Sequence, residues 1–375
     1  MSTLTVGVPR EVKEGEHRVA VTPDGVHELV ASGAPVIIEA GAGVDSSISD
    51  DDYRRAGAAI VERASEVWER ADVVMKVKEP KPDEFALMRP GLVLFTYLHL
   101  AAYPEVAAAL IEHEVTSVAY ETVQDPAGAL PLLAPMSEVA GRMATQVGAH
   151  YLERDHGGRG VLLGGVPGVR PARVVVLGAG NVGWNSAWIA QGMEAEVLLL
   201  DKNLDRLRWV DQIHQGRIVT LASNRGAVER ACIEADLVIG AVLVAGGRAP
   251  IVVTEDLVRS MKKGAVIVDC AVDQGGCVET TRETTHADPV YELHDVLHYA
   301  VGNIPGAVPH TSTYALTNAT LPYARELATR GVAAATAADA DVALGVNTVG
   351  GAITNAAVAE ALDLPLVPLV DALAP

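Results

Sequence analysis

The sequence is poor in cysteine, phenylalanine and positive charge. Its three cysteines, Cys232, Cys270 and Cys277, show no CxxC spacing. They cannot make a disulfide framework, so a reducing compartment is expected. Phe occurs twice in 375 residues. Core filling therefore falls to Val, Leu, Ile, Ala and Met, which disfavours an aromatic-cored β-sandwich. Lys and Arg number 29 against 48 Asp and Glu, a net charge of −19. No basic cluster breaks that surplus, so no nucleic-acid partner is expected, and an anionic membrane face would repel the chain. Long apolar runs are missing too. The stretch 237–247 is about half of the ~20 residues a membrane helix needs. Charges at Arg10, Glu11 and Lys13 precede any apolar run and argue against a secretory leader. The expectation is a soluble, cytoplasmic protein with no membrane association.

What is present is globular. Hydrophobic residues make up 49% and charged residues 21%, and the length suits two to three units of roughly 150 residues. Short Val/Ile/Leu runs recur at 4–8, 36–39, 73–77, 92–98, 117–120, 174–177, 197–200, 237–239 and 265–268. Several are apolar at consecutive positions, as in strands covered on both faces of a parallel sheet. One long helix is expected after Ser137 as N-cap, with Val139, Met143, Val147 and Tyr151 at i, i+4 intervals. A second is expected over 313–329, with Gly331 as its stop. The fold class is therefore α/β, with two doubly wound Rossmann-like domains on parallel sheets linked by long helices. Residues 1–136 plus 304–375 would form one domain and 137–303 the other.

The strongest local signal is the strand Arg173-Val-Val-Val-Leu running into Gly178-Ala179-Gly180-Asn181-Val182-Gly183. Gly178 permits the turn, Gly180 lets a pyrophosphate approach the backbone, and Gly183 allows close helix–strand packing. A helix is expected from Asn185. A second strand ends in Asp201, 23 residues after Gly178, close to the spacing of an acid that binds the adenosine ribose. A carboxylate there repels a 2′-phosphate, favouring NAD over NADP, although Arg206 and Arg208 lie near enough to blur the preference. S-adenosylmethionine binding is a weaker rival for the same pattern.

The candidate chemical residues are fewer. Arg18 stands just ahead of Thr22-Pro23, a good helix start. Its guanidinium suits a substrate carboxylate, but a surface ion pair is an equal reading. Lys76 and Lys78 fall on one face of a strand and could bind a carboxylate or polarise a carbonyl, or serve as charges on a solvated edge. His99 ends an apolar strand, where ligands gather in α/β sheets. It can move a proton near neutral pH, yet a lone histidine is more often structural. Asp273 follows a buried strand at its carboxyl end. Cys277 reads as packing. His294 and His298 have the i, i+4 spacing of a helical metal pair but lack a third ligand, so no metal is expected.

Taken together, these segments resemble the alanine dehydrogenase/pyridine nucleotide transhydrogenase family. The resemblance rests on Val6-Gly-Val-Pro-Arg-Glu-Val-Lys, Arg18-Val-Ala-Val-Thr-Pro, Lys76-Val-Lys-Glu-Pro and Tyr97-Leu-His-Leu-Ala. It continues through Ala119-Tyr-Glu-Thr, Ala134-Pro-Met-Ser-Glu-Val-Ala-Gly, the two Gly-rich loops at 157–168, and the Gly178 loop. Ala271-Val-Asp-Gln-Gly-Gly, Thr311-Ser-Thr-Tyr-Ala-Leu-Thr-Asn and Gly345-Val-Asn-Thr complete it. The resemblance implies reversible NAD-dependent oxidative deamination of L-alanine to pyruvate and ammonia. It implies substrate contacts from Arg18 and Lys78, acid/base work by His99 and a catalytic carboxylate at Asp273. Cofactor contacts are implied at Ser137, residues 178–183, Asp201, Arg206, Ser223, Val242, Leu243 and Asn303, in a subunit that assembles as a homohexamer. Alternatives are an NAD-binding transhydrogenase subunit, or a sister dehydrogenase reducing glyoxylate to glycine. On this reading Arg18, Lys76 and Lys78 form a positive pocket within a negative shell.

Overall fold

The structure, a computed structural model, describes residues 3–242 and 249–374. The chain divides into two compact units, Met1–Met136 with Val308–Pro375, and Ser137–Ala307. In chain order the strands are β1 Val6–Val8, β2 Val36–Glu39, β3 Ala59–Val61, β4 Val73–Met75, β5 Val93–Thr96 and β6 Thr116–Ala119. The second unit carries β7 Arg173–Leu177, β8 Glu196–Asp201, β9 Val219–Ala222, β10 Leu237–Gly240, β11 Val266–Asp269, β12 Val290–Leu293 and β13 Val296–Tyr299. The returning chain adds β14 Val346–Val349 and β15 Ala352–Ile353 to the first unit.

The first sheet runs β15-β14-β6-β5-β4-β1-β2-β3 and the second β12-β13-β11-β10-β7-β8-β9. Strands β1 to β6 pair in parallel, as do β7, β8, β9, β10, β11 and β13. Both faces of such a sheet are covered by helices, which is why β4, β5, β10 and β11 are buried at every position. Each sheet also carries an antiparallel edge that the apolar runs did not signal. β14 pairs antiparallel with β6 and β15, and β12 with β13.

The β12–β13 hairpin corrects the reading of His294 and His298. Leu293 opposes Val296, so the loop is the two residues His294 and Asp295, both left-handed at φ 57° and 59°. That is a type I′ turn, tolerated by His and Asp better than by most residues. The pair therefore straddles a hairpin instead of sharing a helix face. His298 is buried, with Nε2 2.8 Å from Thr280 Oγ1 and Nδ1 donating to Val296 O at 3.0 Å. Burial pushes its imidazole down to about 4.

Three helix boundaries also move. The first long helix spans Ala134–Tyr151, so Ser137 lies inside its first turn. Pro135, next to the start, has its φ already set for a helix and costs no hydrogen bond there. The second spans Pro309–Ala338, starting on a proline at its first position. Gly331, at φ 74°, breaks it with non-helical backbone and the chain then resumes the helix. The helix after the Gly178 loop starts at Asn181, not Asn185.

Candidate active site

In the first unit, four neighbouring parallel strands deliver their carboxyl ends to one sheet edge. The segment after β1 carries Glu11, Lys13, Glu16 and Arg18. Lys76 to Glu79 follow β4, Tyr97 and His99 follow β5, and Glu121 follows β6. The edge rests on aromatic side chains: Phe95 meets Tyr120 edge-on at 4.4 Å, and Tyr120 meets Tyr97 edge-on at 5.0 Å. Tyr97 is fixed by its hydroxyl, which donates to Leu132 O at 2.6 Å.

Arg18 is buried, so its ion pair with a nearby glutamate exists but lies inside the protein and not on the surface. Its Nε donates to Glu16 Oε1 at 2.6 Å and Nη2 to Oε2 at 2.5 Å, while Nη1 lies 2.9 Å from Met136 Sδ. Thr22 accepts from Gly25 N at 3.2 Å as the cap of the helix Pro23–Ala31, fixing the chain just beyond. Burial alone would push Glu16 up. The Arg18 charge and the hydrogen bonds from Arg18 override it and hold the carboxyl down at about 2.

Lys76 and Lys78 do different things. Lys76 is fully buried, 3.0 Å from Glu84 Oε1 and 3.3 Å from Glu11 Oε2. It is a compensated structural charge and does not belong to a positive pocket. Lys13 and Lys81 both pair with Glu79, at 2.8 and 2.7 Å. Lys78 has no carboxylate at ion-pair distance among the described residues. Its Nζ sits 6.0 Å from the centre of the Tyr97 ring. Burial, then the Arg18 and Lys13 charges, push its ammonium below the usual lysine range. A half-buried cation crowded by other cations favours an anion as neighbour.

His99 holds a left-handed φ of 49°. Glu121 fixes that turn, accepting from Leu98 N at 3.2 Å and from His99 N at 2.5 Å. The imidazole is stacked against Tyr97 with an interplanar angle of 1°, 3.9 Å from Glu121 Oε1. The sequence reading allowed Arg18 an acidic neighbour without choosing Glu16, and gave Glu121 no role of its own. The available signal was an acid placed beside Arg18 and an acid just past a buried strand.

The second unit gathers its candidates at the carboxyl ends of its own parallel strands. Residues 178–183 follow β7, Asp201 ends β8, Ser223 follows β9, Val242 follows β10, Asp273 follows β11 and Asn303 lies beyond β13. Chain order reverses between β7 and β10, the switch point where α/β sheets bind ligands. Leu243 lies outside the described residues.

Gly178 has φ 101°, and a Cβ there would come 2.5 Å from Ala241 O. A Cβ on Gly183 would collide with the Gly178 carbonyl. Gly180 differs: among the described residues a Cβ would meet only Arg206 Nη1, at 4.0 Å. The described residues leave that space, and Gly180, the N-cap of the helix Asn181–Gly192, has no side chain to cap its first-turn amides. This cradle fits a pyrophosphate. Asp201 Oδ2 accepts from Ala179 N at 2.6 Å and Oδ1 from Asn203 N at 2.7 Å, while Ser223 N donates to Asp201 O at 2.8 Å. Arg206 Nη1 is 3.9 Å from Asp201, and Arg208 pairs with Asp205.

Asp273 is exposed on the short helical turn Val272–Gln274. The segment around it is organised by Asp269, which the sequence reading did not single out. Fully buried, Asp269 accepts from Ala271 N at 3.0 Å, Cys277 N at 2.9 Å and Thr281 Oγ1 at 2.7 Å. Cys277 is buried against it, as packing requires. Asn303 is left-handed at φ 56°, and its carbonyl lies 3.2 Å from His286 Nε2. Ser137 is half-buried.

Two measurements test these local accounts. The folded Glu16 carboxyl lies below its ordinary 4.5, so its contribution is present above that value and is lost as pH falls towards 2. Glu16→Gln should cost about 3 kcal/mol near neutrality, with the gap to wild type narrowing below pH ~4.5 in urea unfolding followed by circular dichroism. A gap independent of pH would contradict it. Gly180→Ala should keep the melting temperature within about 3 °C and weaken dinucleotide binding by about tenfold. Gly183→Ala should lower the melting temperature as well.

Comparisons with known proteins agree with this architecture. The family profile "Alanine dehydrogenase/PNT, N-terminal domain" matches residues 7–140, and "Alanine dehydrogenase/PNT, C-terminal domain" matches residues 144–356. An alanine dehydrogenase from Mycolicibacterium smegmatis is 55% identical over 96% of this chain and 98% of its own length. A solved L-alanine dehydrogenase superposes with a TM-score of 0.94 at 49% identity, covering 96% of this chain and 99% of that one. A solved transhydrogenase from Sinorhizobium meliloti superposes with a TM-score of 0.81 at 25% identity, over 94% of this chain and 99% of its own. The chain belongs to the alanine dehydrogenase/PNT family.

Proposed function

We propose that this chain is an alanine dehydrogenase, an oxidoreductase that interconverts L-alanine plus water with pyruvate plus ammonia, using NAD. The observation that carries the substrate class is Lys78, a cation without a carboxylate partner beside Arg18 at the strand ends. An amino acid brings the anion that this arrangement lacks, and the near-full-length likeness to alanine dehydrogenases supports alanine as that amino acid. The transhydrogenase reading is disfavoured by the lower identity of that relative.

Residues 178–183, Asp201, Ser223, Val242, Leu243 and Asn303 are the proposed dinucleotide contacts, with Ser137 and Arg206 beside them. The Asp201 carboxylate supports NAD over NADP, since it would repel a 2′-phosphate. Arg208 is engaged by Asp205 and Arg206 lies near Asp201 itself, so neither is presented as a dedicated phosphate ligand. When bound, NAD supplies the acceptor for the hydride that leaves the substrate Cα.

The chain's own residues bind the substrate and move protons. Arg18, braced by Glu16, and Lys78 hold the substrate carboxylate, and Lys78 polarises the carbonyl oxygen that develops. Asp273 takes a proton from the water that adds to the imino carbon. His99, oriented by Tyr97 and Glu121, moves the proton between hydroxyl and amine as ammonia departs. No helix among the described residues is long and apolar enough to cross a membrane. A cytoplasmic homohexamer is the proposed setting.

The direct test is formation of NADH by the purified protein with alanine alone, alongside a panel that includes glyoxylate and ammonia in the reductive direction. Alanine-dependent turnover is expected, and its absence would favour the transhydrogenase reading. His99→Ala and Asp273→Ala should each lower kcat by about 10²–10⁴-fold while NAD affinity stays near that of the wild type. Near-normal turnover in both variants would remove these assignments. Lys78→Met should raise the KM for alanine by roughly tenfold or more.

A further inference from the structure

A group of side chains away from these strand ends carries a different chemistry. His150 lies in the last turn of the helix Ala134–Tyr151, and the short helical turn Arg154–His156 follows two residues after the helix ends. Backbone bonds space the three residues evenly: Glu153 N donates to His150 O at 3.1 Å, and His156 N to Glu153 O at 3.2 Å. The turn is anchored below by Leu152, fully buried, whose carbonyl accepts from Gly160 N at 2.8 Å. It is held beyond by Arg159, whose N donates to Gly264 O at 3.0 Å.

On that base, one imidazole nitrogen of His150, one of His156 and a carboxylate oxygen of Glu153 all lie within 4.8 Å of one another. The two rings are 3.8 Å apart, tilted by 41°. The carboxylate stands 3.9 Å from His150 Nδ1 and 3.7 Å from His156 Nε2. These separations are too long for hydrogen bonds, and neither imidazole bonds elsewhere among the described residues. Three lone-pair donors thus converge on one space without satisfying each other.

We propose that His150, Glu153 and His156 form a binding site for a divalent transition metal, with zinc as the representative ion. Two imidazoles and one carboxylate are the donors such ions prefer, whereas calcium and magnesium favour all-oxygen shells. A tetrahedral shell with bonds of ~2.05 Å needs donors ~3.3 Å apart. Side-chain rotations on the exposed turn supply that contraction without moving the anchored backbone. Three protein ligands leave a fourth position open to water or to a donor from another molecule. The site does not rest on the proposed reaction.

The test is calorimetric titration of zinc into metal-free full-length protein. One equivalent is expected, unaffected by excess magnesium or calcium. His150→Ala with His156→Ala should abolish it, and Glu153→Gln should weaken it by roughly tenfold, with circular dichroism and melting temperature unchanged because all three side chains are exposed. Cys270→Ser should leave it intact. Absence of binding, or a full equivalent retained by the double histidine variant, would overturn the proposal.

Discussion

Burying a cation forces the protein to bury a carboxylate with it, and that constraint organises the first unit. Moving an ammonium or guanidinium out of water costs several kcal/mol unless an opposite charge and hydrogen bonds replace the solvent. Arg18 is matched by Glu16, Lys76 by Glu11 and Glu84, and Lys13 with Lys81 by Glu79. All of these lie around the ends of β1 and β4, so the pairs also tie the long segment after β1 to the segment after β4. The acidic surplus is therefore not only a property of the surface. Several of its carboxylates point inward and set the local charge to near balance. Lys78 stands out against that balance, since its surroundings supply more positive charge than they neutralise.

The second organising constraint is parallel pairing. A parallel strand delivers its carboxyl end to the same sheet edge as its neighbours, so residues far apart in sequence meet without any long-range design of loops. Arg18, Lys78, His99 and Glu121 follow four different strands, yet the order β6-β5-β4-β1 places those strands side by side. The same logic lines up the Gly178 loop, Asp201, Ser223 and Asp273 in the other unit. In both units the loops are then fixed by acids that accept backbone N–H groups, Glu121 under Leu98 and His99, and Asp269 under Ala271 and Cys277. Positioning in this fold is thus largely done by carboxylates bonded to main chain.

Much of this was legible in the sequence. The runs that predicted β2, β5, β7, β10 and β11 are continuous because those strands are covered on both faces. Strands β9, β12 and β15 escaped because they lie at or near sheet edges, where half-exposed positions break the apolar pattern. The His294/His298 spacing fitted a helix as well as a hairpin, and the two left-handed residues that decide between them have no signature as strong as Asn-Gly. Ser137 suited an N-cap by type, but Pro135 had already started the helix. Charge pairing was the least legible feature. Period-two reasoning placed Lys76 and Lys78 together, whereas Lys76 is taken up by Glu11 and Glu84, carboxylates on other segments that no local pattern connects to it, and Lys78 is not.

The balance of charges also bears on how the proposed reactants reach the strand ends. At physiological salt, fields from exposed charges fade over about 8 Å, so the net charge of −19 acts mainly at the surface. Alanine at neutral pH carries one positive and one negative group and meets little net repulsion on approach. Pyruvate is an anion and gains nothing from that surface. On the proposed reading both would present a carboxylate to Arg18 and Lys78, which are buried and half-buried, so that the interaction is stronger there than in bulk. A depressed lysine suits this double duty. In the proposed reaction its ammonium would orient the anion, and its lowered proton affinity would help it polarise the carbonyl oxygen that appears and disappears in the two directions. The surface and the strand ends therefore act on different properties of the same molecules, the first on net charge and the second on a single carboxylate.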